Sequence, residues 1–367
     1  MTTWYVSSAA TGTGTGTQAS PWDMTQAFAG AATGDTVYAI NDGTYSEAAQ
    51  LAPTNNNWLL QGYQTTPGDS GVITMEASVS LAYLINSANN NGWQISQVKV
   101  DNTNQNITTS PILIAGSVTN AKMSDITVIN PTNPANGGSI AATGSVVERA
   151  FLENTEILQV SSGTVVRASA IILNNTSATN AAYGTNGGCD TSNTIVVIDS
   201  GSSSSRALDT PCSSYGVTFD NCVFHSTSLV SGQDAIILRG KNTPNPGVMV
   251  FRNCIFSNWS TIAANVTGSG PYPNLIFENC AYFNCTSLGI GTWINPVALT
   301  ADPFVNPTAT INSLADAQAA FSLNNTAGGG ALCRGAGTPQ YLDIGATQHQ
   351  DSGGGGVPRI VVPRRMW

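Results

Sequence analysis

Gly232-Gln233-Asp234 is the stretch of this 367-residue sequence whose residue types come nearest to doing chemistry. Asp234 offers a carboxyl group. Arg239, five residues on, offers a permanent cation, and His225 a base that titrates near neutrality. With Asp209 and Asp220 close in sequence, such a set would suit glycoside hydrolysis, which needs one protonated and one ionised carboxyl group across the scissile bond. The competing assignment is structural: Asp234 caps a turn, and Arg239 makes an ion pair or hydrogen bond at a bend. Proton abstraction beside a uronate would call for a Lys or Arg base and a cation to hold the acid. Lysines occur only at 99, 122 and 241, and Asp199, Asp209 and Asp220 are too scattered to specify a calcium site. No CxxC pair stands at metal-ligand spacing, so neither a metal nor a cofactor is expected. Trp93, Trp259 and Trp293 are candidates for stacking on sugar rings; the alternative is that they fill a core or a subunit interface.

Composition narrows the classes further. Charged residues are 9% of the chain, against roughly a quarter in an average globular protein. The net charge of −9 disfavours nucleic acid, which wants clustered Lys and Arg. An uncharged surface rich in Asn, Thr, Ser and Gly suits sugars, or an assembly in which many copies pack together. No apolar run approaches a membrane span. The start, Met1-Thr2-Thr3-Trp4-Tyr5-Val6, lacks the basic and apolar regions of a secretion signal, so folding in the cytoplasm is expected.

The elements follow from a phrase that occurs three times: Phe219-Asp220-Asn221-Cys222-Val223-Phe224, Phe251-Arg252-Asn253-Cys254-Ile255-Phe256 and Phe277-Glu278-Asn279-Cys280-Ala281-Tyr282. Each alternates apolar and polar residues, pauses at Asn and resumes, which describes a strand, a sharp bend and a strand. The asparagines are 32 and 26 residues apart, so each phrase is one coil that buries its apolar face against the next. Cys222, Cys254 and Cys280 then form an inward stack of thiols. Seven cysteines cannot all pair within the chain; Cys189 with Cys212, or Cys280 with Cys285, are possible pairs that the spacing leaves open. Earlier strands end on Asp or Asn, as at Asp101-Asn102, Asn130 and Asn174-Asn175, and one is expected to begin at Asp125.

At the start, Ser20-Pro21-Trp22-Asp23 predicts a helix from Pro21 to Ala32 with Ser20 as N-cap, covering the open end of the solenoid. Past Trp293 the prolines break the rhythm; a helix over Leu314–Phe321 and a last strand over Tyr341–Ala346 are expected. Gly353–Gly356 is a linker. Beyond it Arg359, Arg364, Arg365 and Trp367 flank an Ile-Val-Val run, an apolar and basic tail on an acidic body that fits an assembly anchor. The alternatives for that tail are folding back on its own body or disorder. The expected organisation is a cap and first coil over 1–45, β-helix coils over 46–295, a closing region over 296–352 and the tail over 353–367.

Trp4-Tyr5-Val6-Ser7, the run from Ser20-Pro21-Trp22 to Tyr45 with Gly34-Asp35-Thr36-Val37-Tyr38 and Gly43-Thr44-Tyr45, the Asn-Cys coils and Asp343-Ile344-Gly345-Ala346 carry a resemblance. Over residues 1–348 the chain resembles the right-handed parallel β-helix proteins of the pectin-lyase-like superfamily. The resemblance implies an all-β, single-stranded parallel β-helix with a short N-terminal capping helix and an extended C-terminal tail. Members include polysaccharide lyases, glycoside hydrolases, adhesins and trimeric spikes and fibres of bacterial viruses, so the fold leaves the activity open. The hydrolases use an adjacent Asp-Asp pair and a Gly-His-Gly, both missing here; Gln233 stands where the first Asp would be. The expectation is therefore a virion structural protein, a capsid decoration or fibre or spike subunit. It would be a homotrimer that docks on other virion proteins through its tail and contacts glycans. The alternative is an extracellular polysaccharide-degrading enzyme acting through Asp234, Arg239 and His225.

Overall fold

The computed structural model describes residues 1–87, 90–113, 118, 120–129, 140–142, 144–153, 158–160, 163–173, 181–185, 188–199, 202–211, 216–239, 247–266, 272–337 and 342–348. Two compact units divide the chain, Met1–Val165 and Val166–Trp367. Within each, short strands pair in parallel with the strand one coil later. Such pairing needs a long crossover, which here is the rest of the coil.

In the N-terminal unit the first face of the solenoid runs through Thr3–Val6, Thr36–Ile40, Leu59–Tyr63, Gln94–Asp101 and Lys122–Ile129. The second runs through Thr44–Glu47, Ile73–Ala77 and the far halves of Gln94–Asp101 and Lys122–Ile129. Leu81–Asn86 and Ile107–Leu113 belong to the third. Alternate residues point inward, so Val37, Ala39, Leu60, Ile73, Met75, Ile95, Val98 and Val100 are buried. Asp125 does not begin a strand: it lies inside Lys122–Ile129 with φ 56°, and Gln97 lies inside Gln94–Asp101 with φ 58°. Each is the left-handed bend between first and second face.

The N-terminal helix is shorter than the sequence suggests, Met24–Gly30, with Asp23 as its N-cap. Asp23 accepts from the Gln26 backbone N–H at 2.6 Å, and the Gln26 side chain accepts from the Asp23 N–H at 3.2 Å, a reciprocal box. Ser20-Pro21-Trp22 is held out of the helix by tertiary pairing. Trp22 bridges to the first strand through Trp22 N–H to Tyr5 O at 2.9 Å and Ser7 N–H to Trp22 O at 3.1 Å, and its ring stacks on Trp4 at 4.2 Å. Met24, Ala27 and Phe28 face the core, with Phe28 edge-on to Trp58.

In the C-terminal unit the first face runs through Cys189–Ser192, Val217–Asp220, Val248–Arg252, Asn274–Glu278 and Thr292–Ile294. The second runs through Ala170–Leu173, Ile195–Ile198, Val223–Ser226, Ile255–Ser257, Ala281–Phe283 and Val297–Leu299. The third runs through Ala181–Thr185, Arg206–Pro211, Asp234–Arg239, Thr261–Val266 and Ser287–Gly289. The repeated phrase holds this register. Asn193, Asn221, Asn253, Asn279 and Asn295 all have φ between 49° and 56° at the bend between first and second faces. After glycine, Asn and Asp enter that left-handed region most readily. Their amides also bond along the axis, Asn221 Nδ2 to Asn193 Oδ1 and Asn279 Nδ2 to Asn253 Oδ1, both 2.8 Å. Phe219, Phe251, Phe277 and Trp293 stack at 4.9, 5.0 and 4.2 Å, about the ~4.8 Å separation of paired strands. The Cys254 and Cys280 thiols donate to Phe219 O and Phe251 O, both at 3.4 Å. Cys280 and Cys285 are free thiols, which removes that pairing; Cys212 lies outside the described residues.

The closing region covers the outer side of the second face. Ser313 caps the helix Leu314–Ala320, accepting from the Asp316 N–H at 3.1 Å, and a single helical turn spans Gly330–Cys333. The expected strand over Tyr341–Ala346 is not one. Tyr341 lies outside the described residues, and 342–347 forms bends in which Ile344 is fully buried. Gly345 donates to Asn253 O at 2.8 Å with φ 110°, and a Cβ there would come within 2.7 Å of Ile255 Cδ1, so the chain lies directly on the second face. Asn130, Asn174, Asn175, the glycine linker and the tail with Arg359, Arg364, Arg365 and Trp367 lie outside the described residues. Among the described residues no helix is long and apolar enough to cross a membrane.

Candidate functional site

Asp234 opens the third-face strand Asp234–Arg239. It pairs with Thr261 one coil on, and the register of Leu208 with Ile236 sets Arg206 opposite it one coil back. Burial pushes the Asp234 carboxyl up, opposed by a hydrogen bond from Thr261 and the charge of Arg206. Arg206 in turn contacts Asp209 Oδ2 at 3.4 Å and Ser204 O at 3.3 Å. The result is a guanidinium among two partly covered carboxyl groups, on neighbouring coils of one face. A carboxyl held up by burial is the element a general acid requires. Sequence reasoning missed Arg206 because coil lengths vary, so a partner 28 residues away is not legible from spacing.

His225 is elsewhere. It lies in the second-face strand Val223–Ser226, 1% exposed, with Nδ1 2.7 Å from Ser257 Oγ. Phe321 and Phe304 of the closing region cover it, with ring centroids at 5.0 and 6.0 Å. Burial pushes its pKa down to about 3, and Nε2 meets no polar partner among the described residues. A ring so enclosed touches no solvent-borne substrate. Gln233 is also buried, accepting from Ser226 Oγ at 2.8 Å and donating to Ser202 O at 3.3 Å, so it ties coils together. Arg239 pairs through its backbone with Pro211 and Val266; its side chain is outside what is described, as are Gly240 and Lys241.

The tryptophans divide. Trp93 and Trp259 have no exposed surface, and Trp259 Nε1 donates to Phe224 O at 2.9 Å, so both fill the core and neither presents a face to a sugar. Trp293 ends the aromatic stack and keeps part of its surface. Asp199, Asp209 and Asp220 sit on separate faces: Asp199 accepts from Thr227 Oγ1 at 2.7 Å, and Asp220 lies 3.6 Å from Arg252. Among the described residues no group of three His, Cys, Asp or Glu side chains is placed to hold a metal ion. At the last coil, where sequence reading singled out only Trp293, a cleft of about 730 Å³ is lined by Asn265, Tyr272, Leu275, Ile276, Ile290 and Ile294, among others.

No family model matches the chain, and no curated protein matches its sequence. Solved structures do match in shape. The pectate lyase Pel9A is similar at 13% identity and a TM-score of 0.53, over 95% of this chain and 97% of that one. An alginate lyase from a Paenibacillus species is similar at 10% identity and 0.46, over 81% and 99%. ORF18 of Geobacillus virus E2 is similar at 13% identity and 0.33, over 74% and 53%. The fold is that of the right-handed parallel β-helix proteins; identity at this level says nothing of the chemistry.

Proposed function

We propose that this chain is a non-enzymatic structural subunit of a virus particle, a capsid decoration or fibre or spike protein built on a rigid β-helix. The observation that carries the reading is where the chemically able side chains are spent. His225 is bonded to Ser257 under two phenylalanines, Gln233 links coils, and Asp234 is bonded by Thr261 within a coil-to-coil ladder. Stacked asparagines, thiols and aromatic rings repeat coil after coil, which suits a stiff strut. A surface with few charges suits close packing of copies, and the basic, apolar tail with Arg359, Arg364, Arg365 and Trp367 suits anchoring to a neighbour. In this reading the protein is a homotrimer in the virion, assembled in the host cytoplasm, and any glycan is met elsewhere than at the buried Trp93 and Trp259. The test is the native mass of the full chain against a chain ending at Ser352. A multimer that the truncation reduces to monomer supports the reading; the same monomer from both removes it.

A second reading is favoured by one observation, the raised pKa of Asp234 beside Arg206. It makes the chain a polysaccharide-degrading enzyme with Asp234 as acid and the third face as its groove. Screening neutral and uronate polysaccharides for cleavage, with Asp234→Asn alongside, tests it. Cleavage lost at least 100-fold in the variant supports the enzyme.

A further inference from the structure

The solenoid of the C-terminal unit stops abruptly. Ser287–Gly289, Thr292–Ile294 and Val297–Leu299 each pair with the preceding coil, and no described strand pairs with their outer edges. An unpaired row of backbone donors and acceptors is a template for another strand. This end is also apolar. Ile294 is 42% exposed, Ile276 and Ile290 are partly exposed, and with Tyr272 they line the cleft at this corner. The aromatic column ends on Trp293, whose buried Nε1 has no hydrogen-bond partner among the described residues. Open edge, apolar cleft and orphaned indole donor coincide on one coil.

We infer that this end receives residues 357–367 of a second copy of the chain, which add a strand to Thr292–Ile294 and fill the cleft. The inference rests on the structural reading above. Ile360-Val361-Val362 is a run of strand formers fenced by Pro358 and Pro363. Proline is confined to edges and ends of strands, so this run fits a three-residue edge strand, the length of Thr292–Ile294. Arg359, Arg364 and Arg365 suit the adjoining row, where Asp220 and Glu278 share one guanidinium, Arg252. The tether is long enough to reach the last coil of either copy: from Gln348, the last described residue, to Val357 an extended chain spans about 30 Å, and Gly345 is bonded at Asn253, two coils or about 10 Å from the last one. The structural reading, in which copies pack together, selects the neighbour. A tail seated on the next copy is a heterologous contact, which closes into a ring when the rotation allows, as a trimer requires.

The experiment uses the full chain. Native mass across a dilution series is measured for the natural sequence, Ile294→Asp and Val305→Asp, the last an exposed apolar position away from the cleft. A synthetic peptide of residues 353–367 is added as competitor. The expected result is a multimer whose dissociation constant rises at least 10-fold in Ile294→Asp, stays within 2-fold in Val305→Asp, and which the peptide breaks down in proportion to its concentration. Circular dichroism checks that the variants fold, and peptide competition needs no variant. A multimer indifferent to both Ile294→Asp and peptide overturns this site while leaving the assembly reading standing. A full-length monomer overturns both, and a monomer whose tail resists protease places the tail on its own body.

Discussion

A single residue type at the bend decides whether these coils stack. In the left-handed region an ordinary side chain costs about 1–2 kcal/mol, and Asn escapes most of that. Asn221 is also fully buried and bonds Asn193 along the axis. Asn221→Ala therefore pays the backbone cost and leaves the Asn193 carbonyl without that donor, a loss of about 2–4 kcal/mol. Asn221→Gly loses only the hydrogen bond and should cost less than half as much, read from urea midpoints. Equal losses would put the cost in the amide ladder alone. His225 makes a second residue-scale case. Its folded pKa is depressed from 6.5 to about 3, so the folded state resists a proton that the unfolded chain accepts. Its effect is absent above pH 6.5, and stability falls by up to about 1.4 kcal/mol per unit as pH drops from 6.5 toward 3. In His225→Leu the slope of stability between pH 6 and 4 should flatten by about that amount; an unchanged slope would assign the acid sensitivity to other groups.

Among the elements, those made of short repeated phrases were legible and those made by tertiary contact were not. Phe, Asn and Cys recur in fixed order, so register, bend and inward column could all be read before any coordinate. The helix start misled because Ser20-Pro21 satisfies capping rules locally, while Trp22 gains more from bridging Tyr5 and stacking on Trp4. The last strand misled because Ile344 is buried where the chain beside it, at Gly345, lies on Ile255, and an apolar residue cannot tell packing from pairing. The site was half legible: Asp234 stands out by type, but Arg206 meets it through a coil of unmarked length, and His225 is removed by a cover 79 to 96 residues downstream. Because Phe251 stacks on Phe219 and Phe277 at once, Phe251→Ala opens the column on both sides and should cost about 3–5 kcal/mol. A loss under about 1 kcal/mol would mean the coils close over the gap.

For the whole molecule, the scarcity of charge separates what holds the fold from what holds an assembly. Among the described residues ion pairs are few, and those of Arg149 with Asp125 at 2.6 Å and of Arg252 with Glu278 at 3.1 Å are exposed on both sides, where such pairs contribute little. The coils are held by uncharged columns, so salt has little to screen in the fold. The proposed tail contact differs, since three arginines meet a body whose chain carries a net −9. Raising salt from about 0.05 M to about 0.5 M shortens the screening length severalfold. The thermal midpoint should then move by less than about 2 °C while the assembly dissociates at higher protein concentration than before. If both respond together, the fold itself depends on subunit contact, and the coil columns are not sufficient to hold it. If neither responds, the arginines do not contribute to assembly, and the apolar run Ile360-Val361-Val362 is left as the anchor.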